Sequence, residues 1–437
     1  MKSAITLENA ERVLLVGVAL KRKPRAGLAQ DGPSKQDSLA ELGELARSAG
    51  ARVVGSRLQM RDALDSATMV GRGVLEELKH EVERLDAGLI ILDRSLSPVQ
   101  HRNIERGTDC RVIDRTQLIL DIFARHAHSR EGQLQVELAQ LNYLLPRLAG
   151  GSKELSRLGG GIGTRGPGEQ KLETDRRRIR DRAAKISRMI ETVRRQRALR
   201  RRARQAVPLG TAAIIGYTNA GKSTLFNALT KSDVYTSAKM FATLDPTVRA
   251  VRLPSRRRVL LSDTVGLIAD LPPDLIAAFR ATLEEMQEAA LILHVTDISS
   301  PKHAEQDAEV EKVLYELGVT ERPRLRVFNK LDLLKPEDAQ KSEKSRNAAE
   351  TAGCIFVSAR TGEGLDDLRA QIDAAMPVDP IVARRLSLPM SNARELAMIF
   401  ASGRVLRSEV VDGHMHIEAE VPESLATRLE IFQEKTQ

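Results

Sequence analysis

Aromatic side chains are scarce in this sequence, which contains 8 Phe, 4 Tyr and no Trp among its 437 residues. Proteins that bind single-stranded nucleic acids stack bases on aromatic rings, so that mode of binding is a poor expectation here. Cysteine is rarer still, because Cys110 and Cys354 are the only two and lack the clustered spacing of a zinc site. A disulfide framework is therefore excluded, and we expect both cysteines to be small buried residues without a chemical role.

Long apolar runs are also missing. No run approaches the roughly 18 residues that a membrane-spanning helix needs. The first residues, MKSAITLENAERVLLV, include acidic side chains where a signal peptide would have its apolar core. We therefore expect a cytoplasmic protein without stable membrane insertion, and a fraction bound peripherally to membranes stays open.

The positive charge of the chain is concentrated in one segment. The whole chain has 68 Lys and Arg against 59 Asp and Glu, a formal charge of +9. Residues 175–205 hold fourteen basic and three acidic side chains, a net +11, so the remainder carries −2. The segment contains no aromatic residue, and a solvated helix face would be expected to mix both signs. We therefore favour contact with a nucleic-acid backbone.

Hydrophobic periodicity divides the chain before residue 205 into two kinds of structure. Through about residue 115, apolar runs such as RVLLVGV alternate with amphipathic stretches, a rhythm typical of βαβ units around a parallel sheet. Beyond that point, two segments repeat apolar residues at heptad spacing. The first has Leu134, Leu138, Leu141, Leu145 and Leu148, and the second has Ile179, Ala183, Ile186, Ile190 and Val193. We expect these two helices to pair as an antiparallel hairpin.

A glycine-rich connector, LGGGIGTRGPGEQKLETDRR, joins the two predicted helices. A plain hairpin needs only a few linking residues, so a connector this long is either functional or disordered. Its composition by itself leaves a flexible linker and a binding loop equally open.

The segment TAAIIGYTNAGKSTLFNALT predicts a buried strand, a turn and a helix, with Gly216, Gly221, Lys222 and Ser223 in GxxxxGKS spacing. This is the pattern of a phosphate-binding loop, whose backbone N–H groups hold phosphates at a helix N-terminus. Lys222 is expected to reach the β and γ phosphates and to be catalytic, and Ser223 to bind Mg²⁺. The predicted nucleotide contacts along this loop are Gly216, Tyr217, Thr218, Asn219, Ala220, Gly221, Lys222, Ser223 and Thr224.

Two later segments complete a predicted phosphate site. VLLSDTVG places Asp263 at the end of a second buried strand, where it would hold Mg²⁺ through water, and the Gly266 N–H would detect the γ phosphate. FATLDPT lies between the motifs, and Thr243 is placed to close over Mg²⁺ and the γ phosphate. Exposed threonines are common in loops, so Thr243 taken alone is equally consistent with a role in the site and with an ordinary surface position. The predicted contacts here are Phe241, Ala242, Thr243, Leu244, Asp245, Asp263, Thr264, Val265 and Gly266, with Thr243 and Gly266 as catalytic groups.

Two segments, RVFNKLD and FVSAR, predict which nucleotide base is bound, and each is a strand followed by polar residues. Asp332 can accept from the N1–H and N2 groups of guanine, which adenine lacks, and Asn329 can reach the O6 and N7 edge. A buried carboxylate left unpaired is costly, so such a site discriminates strongly between bases. The predicted contacts are Asn329, Lys330, Leu331, Asp332, Val357, Ser358 and Ala359. Together these elements predict a protein that binds GTP and GDP.

The predicted site lacks one side chain that GTP hydrolysis is expected to use. In the Ras-like pattern a Gln that orients the attacking water follows the DxxG glycine, but Leu267 stands there. An aliphatic side chain cannot orient water, so we expect slow hydrolysis by the protein alone and completion of the site by a partner. Asn219 stands where some GTPases use an Asn to hold K⁺, and K⁺ beside Mg²⁺ is kept as an alternative.

Past residue 378, the strand-like runs RVLRSEVV and HMHIEAEV flank an Asp-Gly pair, and a helix-like stretch follows. Asp-Gly between two strands predicts a β-hairpin. This last part is expected to be a small α+β domain.

Taken with GGGIGTRGPGEQKLETDRR, these motifs resemble the HflX family of ribosome-associated GTPases. LSPVQHRNIE, VIDRTQLILDIFARHA, FATLDPT and DTVG followed by an aliphatic residue also look like signatures of that family, and the similarity covers most of the chain. The resemblance implies a GTPase that binds the large ribosomal subunit, is stimulated by the ribosome, and splits or rescues stalled or idle ribosomes under stress. The family's N-terminal domain has been linked to ATP binding, which we do not carry over because residues 1–115 contain no phosphate-binding loop.

The predicted fold class is α/β with four parts. They are an N-terminal α/β domain (1–115), a helical hairpin linker with the glycine-rich loop and basic helix (116–205), a Ras-like P-loop GTPase domain with a mainly parallel sheet (206–377), and a small α+β C-terminal domain (378–437). We expect a monomer whose partner is the RNA and protein of the large ribosomal subunit, and no DNA.

Two other functions remain alternatives. One is a checkpoint GTPase of ribosome assembly or RNA processing, which would bind precursor particles but not mature subunits. The other is a regulator of a membrane protease whose basic helix meets anionic lipid. That helix lacks the wide apolar face such binding needs, so the regulator is the least favoured.

Overall fold

The computed structural model describes residues 10–20, 35–148, 167–205, 210–231, 247–255, 257–268, 286, 289–316, 318–320, 322–334, 354–376 and 381–433. Within these ranges the chain forms three β-sheets, and two long helices connect the first sheet to the second.

The first sheet is parallel, with strand order β2-β1-β3-β4. Its strands are β1 (Arg12–Leu20), β2 (Arg52–Arg61), β3 (Leu89–Leu92) and β4 (Arg111–Asp114), and its helices are α1 (Lys35–Ser48), α2 (Arg72–Leu85), α3 (Pro98–Thr108) and α4 (Arg115–His126). β1 and β3 are almost entirely buried, as expected for strands covered on both faces, which is why they form unbroken apolar runs. Ser97 and Gln100 begin α3 with a capping box, and the Asp114 side chain caps α4. The predicted βαβ arrangement is confirmed.

The predicted helical hairpin consists of α5 (Arg130–Arg147) and α6 (Pro167–Gln205). Leu134 is buried together with Ile186 and Ile190, and we call these three residues the hairpin seam. One turn further along α5, Glu137 pairs with Arg182 at 2.7 Å, one turn earlier in α6. The two helices are therefore antiparallel, as predicted. Most of the glycine-rich connector lies outside the described residues.

The end of α5 is attached to the first sheet. Arg147 donates to the Asp114 carboxylate at 3.1 Å and to the Leu96 carbonyl at 2.8 Å, and its guanidinium lies 3.4 Å from the centre of the Tyr143 ring. Asp114 is fully buried, so this pairing orients the hairpin relative to the carboxyl edge of the sheet.

The second sheet has six strands in the order β10-β9-β8-β5-β7-β6, all parallel except β6. The strands are β5 (Thr211–Gly216), β6 (Thr247–Arg252), β7 (Arg258–Asp263), β8 (Leu291–Asp297), β9 (Arg324–Asn329) and β10 (Cys354–Phe356), with α7 (Lys222–Thr230), α8 (His303–Glu316) and α9 (Leu365–Ala375). Gly216, Asp263, Asp297 and Asn329 each end a parallel strand, so they share one edge of the sheet. Ligands of open α/β sheets bind at this edge.

The third sheet is antiparallel, with order β11-β13-β12. It contains β11 (Ile381–Pro389), β12 (Arg404–Val411) and β13 (His414–Pro422), and α10 (Ala393–Ser402) and α11 (Glu423–Arg428) pack on it. Asp412 and Gly413 join β12 to β13 with φ angles of 50° and 77°, the positive values that a type I′ turn requires. The predicted hairpin and the α/β fold class with a mainly parallel GTPase sheet are confirmed, and the residue limits of the four parts stay a prediction.

Among the described residues, no helix combines the length and the apolar character needed to cross a lipid bilayer. Cys110 and Cys354 are partly buried, not fully buried as expected.

Candidate functional site

The loop between β5 and α7 joins a strand end directly to a helix N-terminus, where the first backbone N–H groups have no partner within the helix. Two glycines make this path possible. Gly216 has a φ of 154°, and a Cβ there would lie 2.1 Å from the carbonyl oxygen of Val295. Gly221 has a φ of 88°, and a Cβ there would lie 2.2 Å from Asn329 Nδ2. Any side chain at either position would therefore collide with a neighbouring strand end.

Lys222 is buried at the start of α7 and donates to the Tyr217 carbonyl at 2.7 Å. Burial lowers the pKa of its ammonium group to about 8, although Asp263 acts in the opposite direction, and the nearby Lys330 lowers it further. The loop thus holds a desolvated cation at the N-terminus of a helix, an arrangement suited to phosphate.

Ser223 and Asp263 meet at the predicted magnesium position. The Ser223 hydroxyl donates to Asp263 Oδ2 at 2.7 Å, and Asp263 is fully buried at the end of β7. A hydroxyl and a carboxylate are hard oxygen donors of the kind that Mg²⁺ prefers, with the remaining positions filled by phosphate and water. The donor set therefore fits the predicted ion.

The residues after Asp263 close onto the phosphate-binding loop. Leu267 donates its N–H to the Gly216 carbonyl at 3.1 Å and accepts from the Thr218 N–H at 2.7 Å. A Cβ on Gly266 would lie 3.1 Å from Lys222 Nζ. Gly266, Lys222 and the loop therefore surround one small space. The Leu267 side chain is buried, in an apolar cluster that also contains Tyr217.

Asn329 connects three parts of the predicted base site. It is 2% exposed, its Nδ2 donates to the Ala220 carbonyl at 2.9 Å, and its Oδ1 accepts from the Ala359 N–H at 3.0 Å. A side-chain amide has two N–H groups, so one donor remains after the bond to Ala220. Asn329 therefore braces the phosphate-binding loop against the Ser358–Ala359 segment, a structural role that its motif did not predict.

Asp332 lies in a short 3₁₀ turn, Leu331–Leu333, directly after β9. Its Oδ1 accepts from the Ser358 hydroxyl at 2.7 Å, which orients the carboxylate. Ser358 is fully buried, so this partner is itself fixed.

Lys330 is held by a residue that the sequence motifs did not indicate. It has a φ of 67°, and its Nζ lies 2.6 Å from Asp297 Oδ2. The other oxygen of Asp297 accepts from the N–H and hydroxyl of Ser299 at 3.0 and 2.6 Å. Lys330 Cε lies 4.0 Å from the Cβ position of Gly221, so the side chain extends along the loop. A strand-end acid after the apolar run LILHV was the available signal, because β8 ends at the same edge.

Among the predicted site residues that the structure describes, those brought together by the contacts above include Gly216, Thr218, Ala220, Gly221, Lys222, Ser223, Asp263, Gly266, Asn329, Lys330, Asp332, Ser358 and Ala359. The predicted contacts Phe241, Ala242, Thr243, Leu244 and Asp245 lie outside the described residues.

Comparisons with known proteins cover most of the chain. Residues 36–124 match the family model of the GTP-binding GTPase N-terminal region, residues 126–204 that of the GTP-binding GTPase middle region, and residues 211–330 that of the 50S ribosome-binding GTPase family. The GTPase HflX of Caldanaerobacter subterraneus subsp. tengcongensis is 46% identical over 97% of this chain and 94% of its own length. The GTPase HflX of Escherichia coli K12 is 40% identical over 88% of this chain and 90% of its own length.

The chain belongs to the HflX family of GTPases. Among solved structures, it is similar to a GTP-binding protein from Sulfolobus solfataricus in complex with GDP, with 24% identity, a TM-score of 0.43, and coverage of 84% of this chain and 98% of that chain.

As an HflX-family GTPase, the protein binds guanine nucleotide and converts GTP to GDP and phosphate. The resemblance inferred from the motifs is thereby confirmed. The buried side chain of Leu267 has no polar atom that could orient an attacking water.

Proposed function

We propose that this HflX-family GTPase is a nucleotide-driven switch that binds the large ribosomal subunit, hydrolyses GTP faster when bound to it, and splits or rescues stalled or idle ribosomes under stress. The protein acts as a cytoplasmic monomer. The observation that carries the proposal is the basic surface of α6, supported by the family description of the domain at 211–330 as a 50S ribosome-binding GTPase.

The basic surface of α6 faces away from the hairpin seam. At about 100° per residue, Arg177, Lys185, Arg188 and Arg195 fall within roughly 80° of one another, on the side opposite Ile186 and Ile190. All four basic side chains are exposed. Packing against α5 therefore leaves them available to a partner. Asp181 and Glu191 lie on or beside the same face, and the basic side chains outnumber them.

The length of α6 suits an extended polyanion. Its 39 residues span about 58 Å at 1.5 Å per residue, and α5 covers only part of that length. Basic side chains without aromatic neighbours contact the RNA backbone through charge, with affinity that falls as salt rises. The apolar residues of the seam pack against α5, which leaves no wide apolar face for a lipid surface among the described side chains of α6. A membrane surface is therefore the least favoured partner for this face of α6.

At the phosphate end of the site, Lys222 would neutralise the β and γ phosphates. Ser223 and Thr243 would hold Mg²⁺, and Asp263 would hold it through water. When bound, Mg²⁺ neutralises charge on the phosphate oxygens. The Gly266 N–H donates to the γ phosphate, so Thr243 and Gly266 are ordered by GTP and released after hydrolysis. Lys222, Thr243 and Gly266 are the proposed catalytic groups.

At the base end, Asp332 accepts from the N1–H and N2 groups of guanine, and the second N–H of Asn329 donates to N7. The aliphatic stem of Lys330 covers the ring, and the Ala359 backbone contacts O6. The bonds from Ser358 to Asp332 and from Lys330 to Asp297 support these orientations.

Slow hydrolysis by the protein alone follows from Leu267. A second cation would stabilise negative charge on the phosphates during hydrolysis. Asn219 has a φ of 62° within the loop, and we propose its side chain as a ligand of K⁺ beside the phosphates. Replacing K⁺ by Na⁺ at equal ionic strength should then slow hydrolysis, and Asn219→Ala should remove the difference between the two salts.

The deciding experiment measures GTP turnover by the purified full chain alone, with purified large ribosomal subunits, and with an equal charge of unrelated structured RNA. Stimulation by the subunit alone supports the proposal, and splitting of 70S particles is then measured by sedimentation. Equal stimulation by any RNA contradicts it. Binding to precursor particles but not to mature subunits would favour the alternative of an assembly or RNA-processing checkpoint.

A further inference from the structure

Thr218 of the phosphate-binding loop carries a buried hydroxyl without a partner. The residue is 5% exposed, and its Oγ1 has no hydrogen-bond partner among the residues that the structure describes. A buried hydroxyl in this state is destabilising, and native proteins keep few of them. Other buried threonines of the domain differ, because Thr264 donates to the Ile214 carbonyl and Thr296 to Asp307, each at 2.6 Å.

The position of Thr218 points to the terminal phosphate of GTP. A Cβ on Gly266 would lie 2.9 Å from Thr218 Cγ2 and 3.0 Å from Thr218 Cα, so Thr218 is the loop residue on which Gly266 closes. Lys222 Nζ is 3.1 Å from the same point. Thr218 therefore borders the space between the loop lysine and the glycine of the DTVG motif.

A phosphate can reach the buried Thr218 hydroxyl only if a neighbouring segment moves. In the present structure Thr218 N–H donates to the Leu267 carbonyl at 2.7 Å, which holds the segment after Gly266 against the loop. Moving that segment outward makes room for a phosphoryl group and uncovers the threonine hydroxyl at the same time. Phosphate oxygens accept hydrogen bonds and a threonine hydroxyl can donate one, so the two groups are complementary.

We propose that the Thr218 hydroxyl donates a hydrogen bond to the terminal phosphoryl group of GTP and is a catalytic residue of hydrolysis. Water attacks the γ phosphorus, and the bond to the bridging oxygen breaks with its electron pair passing to GDP. One proton of the water stays on the phosphate product, and the other is released to solvent. Thr218 keeps its own proton and stabilises charge on the transferred group. The hydroxyl is thus a donor on the side of the site where Leu267 offers none.

The test compares Thr218→Val with Thr296→Val in the full-length protein, because Thr296 is equally buried but lies outside the predicted nucleotide contacts. Valine keeps the shape of threonine without the hydroxyl. For Thr218→Val we expect single-turnover GTP hydrolysis to fall by on the order of tenfold or more. The affinity for GMPPNP relative to GDP should also fall, with GDP affinity unchanged. The urea midpoint should stay the same or rise, because an unpaired hydroxyl has been removed. Thr296→Val, which breaks the hydrogen bond to Asp307, should lower the midpoint.

Two results overturn the proposal. One is hydrolysis by Thr218→Val within twofold of the parent, together with an unchanged ratio of GMPPNP to GDP affinity. The other is a drop in the urea midpoint and in GDP affinity like that of a structural threonine. If Thr218→Val does not fold, Thr218→Ser and Thr218→Ala provide the same comparison, because both lose the methyl group and only alanine loses the hydroxyl. Serine should then hydrolyse GTP faster than alanine, and equal rates would overturn the proposal.

Discussion

The hydroxyl of Tyr217 donates a 2.6 Å hydrogen bond to Glu41 Oε1, which connects the phosphate-binding loop to α1 of the N-terminal domain. Glu41 also accepts from Arg115 at 3.0 Å, and Arg115 donates to Asp93 at 3.0 Å. Arg115 is buried, which by itself would lower its pKa, but the two carboxylates outweigh burial and the pKa is raised. A chain of charged hydrogen bonds thus extends from the nucleotide site to the carboxyl edge of the first sheet.

Tyr217→Phe should weaken the attachment of the two domains. The ring keeps its apolar packing, while the hydrogen bond to a charged carboxylate is lost, at a cost of about 1–3 kcal/mol in the free energy of unfolding. Urea denaturation of Tyr217→Phe, Glu41→Gln and the double variant measures the coupling. Additive effects of the two substitutions would contradict a direct interaction. Tyr315→Phe is the control, because Tyr315 is 77% exposed and should change nothing.

Lys222→Ala should abolish tight nucleotide binding, since it removes the cation that the loop holds for the phosphates. Fluorescent GDP titration checks this, with the urea midpoint as a measure of folding. The buried ammonium is costly without phosphate, so the midpoint should not fall in parallel. Undiminished affinity would rule out the phosphate-binding loop at Gly216–Ser223.

The lowered pKa of Lys222 predicts how the stability of the protein without nucleotide depends on pH. Its folded pKa of about 8 lies below the ordinary lysine value of 10.5, so the unfolded chain binds more protons between these limits. This group therefore contributes stability that is present above about 10.5 and is lost as the pH falls through about 8.

Phosphate reverses the preference, because it favours the charged ammonium. GDP affinity should therefore weaken above pH 8, approaching about tenfold per pH unit, with uptake of a proton. Calorimetry from pH 7 to 9 in buffers of different ionisation enthalpy measures that uptake. Lys222→Arg is the control: its side chain stays charged from pH 7 to 9, so any proton uptake that it shows comes from titration of the nucleotide itself. The same proton uptake in both proteins would contradict the assignment.

Asp297→Asn should raise the dissociation rate of GDP several-fold, because Lys330 loses the ion pair that directs its stem along the loop. If Asp297 acts through Lys330, the effect should largely disappear in a Lys330→Met background. Equal effects in both backgrounds would indicate a separate structural role. Asp373→Asn is the matched control: Asp373 accepts from Ser255 N–H at 2.7 Å and its hydroxyl at 2.8 Å, away from the loop, so stability alone should fall.

A triple variant should weaken binding to large ribosomal subunits, namely the one in which Gln replaces Arg177, Lys185 and Arg188. The log–log slope of affinity against salt should flatten by roughly one unit for each RNA phosphate that is no longer neutralised. The matched control replaces Arg385, Arg404 and Arg407 by Gln. It removes the same charge from the C-terminal sheet, where these side chains are 69–78% exposed. An equal flattening of the slope in this control would show that only net charge matters.

Much of the candidate site could be predicted because its chemistry is local in sequence. A loop between a strand and a helix requires glycine at Gly216 and Gly221, and a phosphate requires Lys222 nearby, so spacing alone is informative. The same is true of the heptad spacing that predicted the hairpin seam. Asp297 was missed because a single acid at a strand end has no motif, and its role depends on β8 lying next to β9.

The sequence by itself determined the α/β class, the GTPase motifs, the antiparallel hairpin and the concentration of basic charge in one helix. These follow from periodicity and spacing, which one stretch of chain contains completely. Only the tertiary structure decided that Tyr217 meets Glu41 from 176 residues away, and that the hydroxyl of Thr264 is paired while that of Thr218 is not. Partners of this kind are selected by the packing of distant elements, since a side chain's hydrogen bonds depend on which backbone and side-chain atoms surround it after folding.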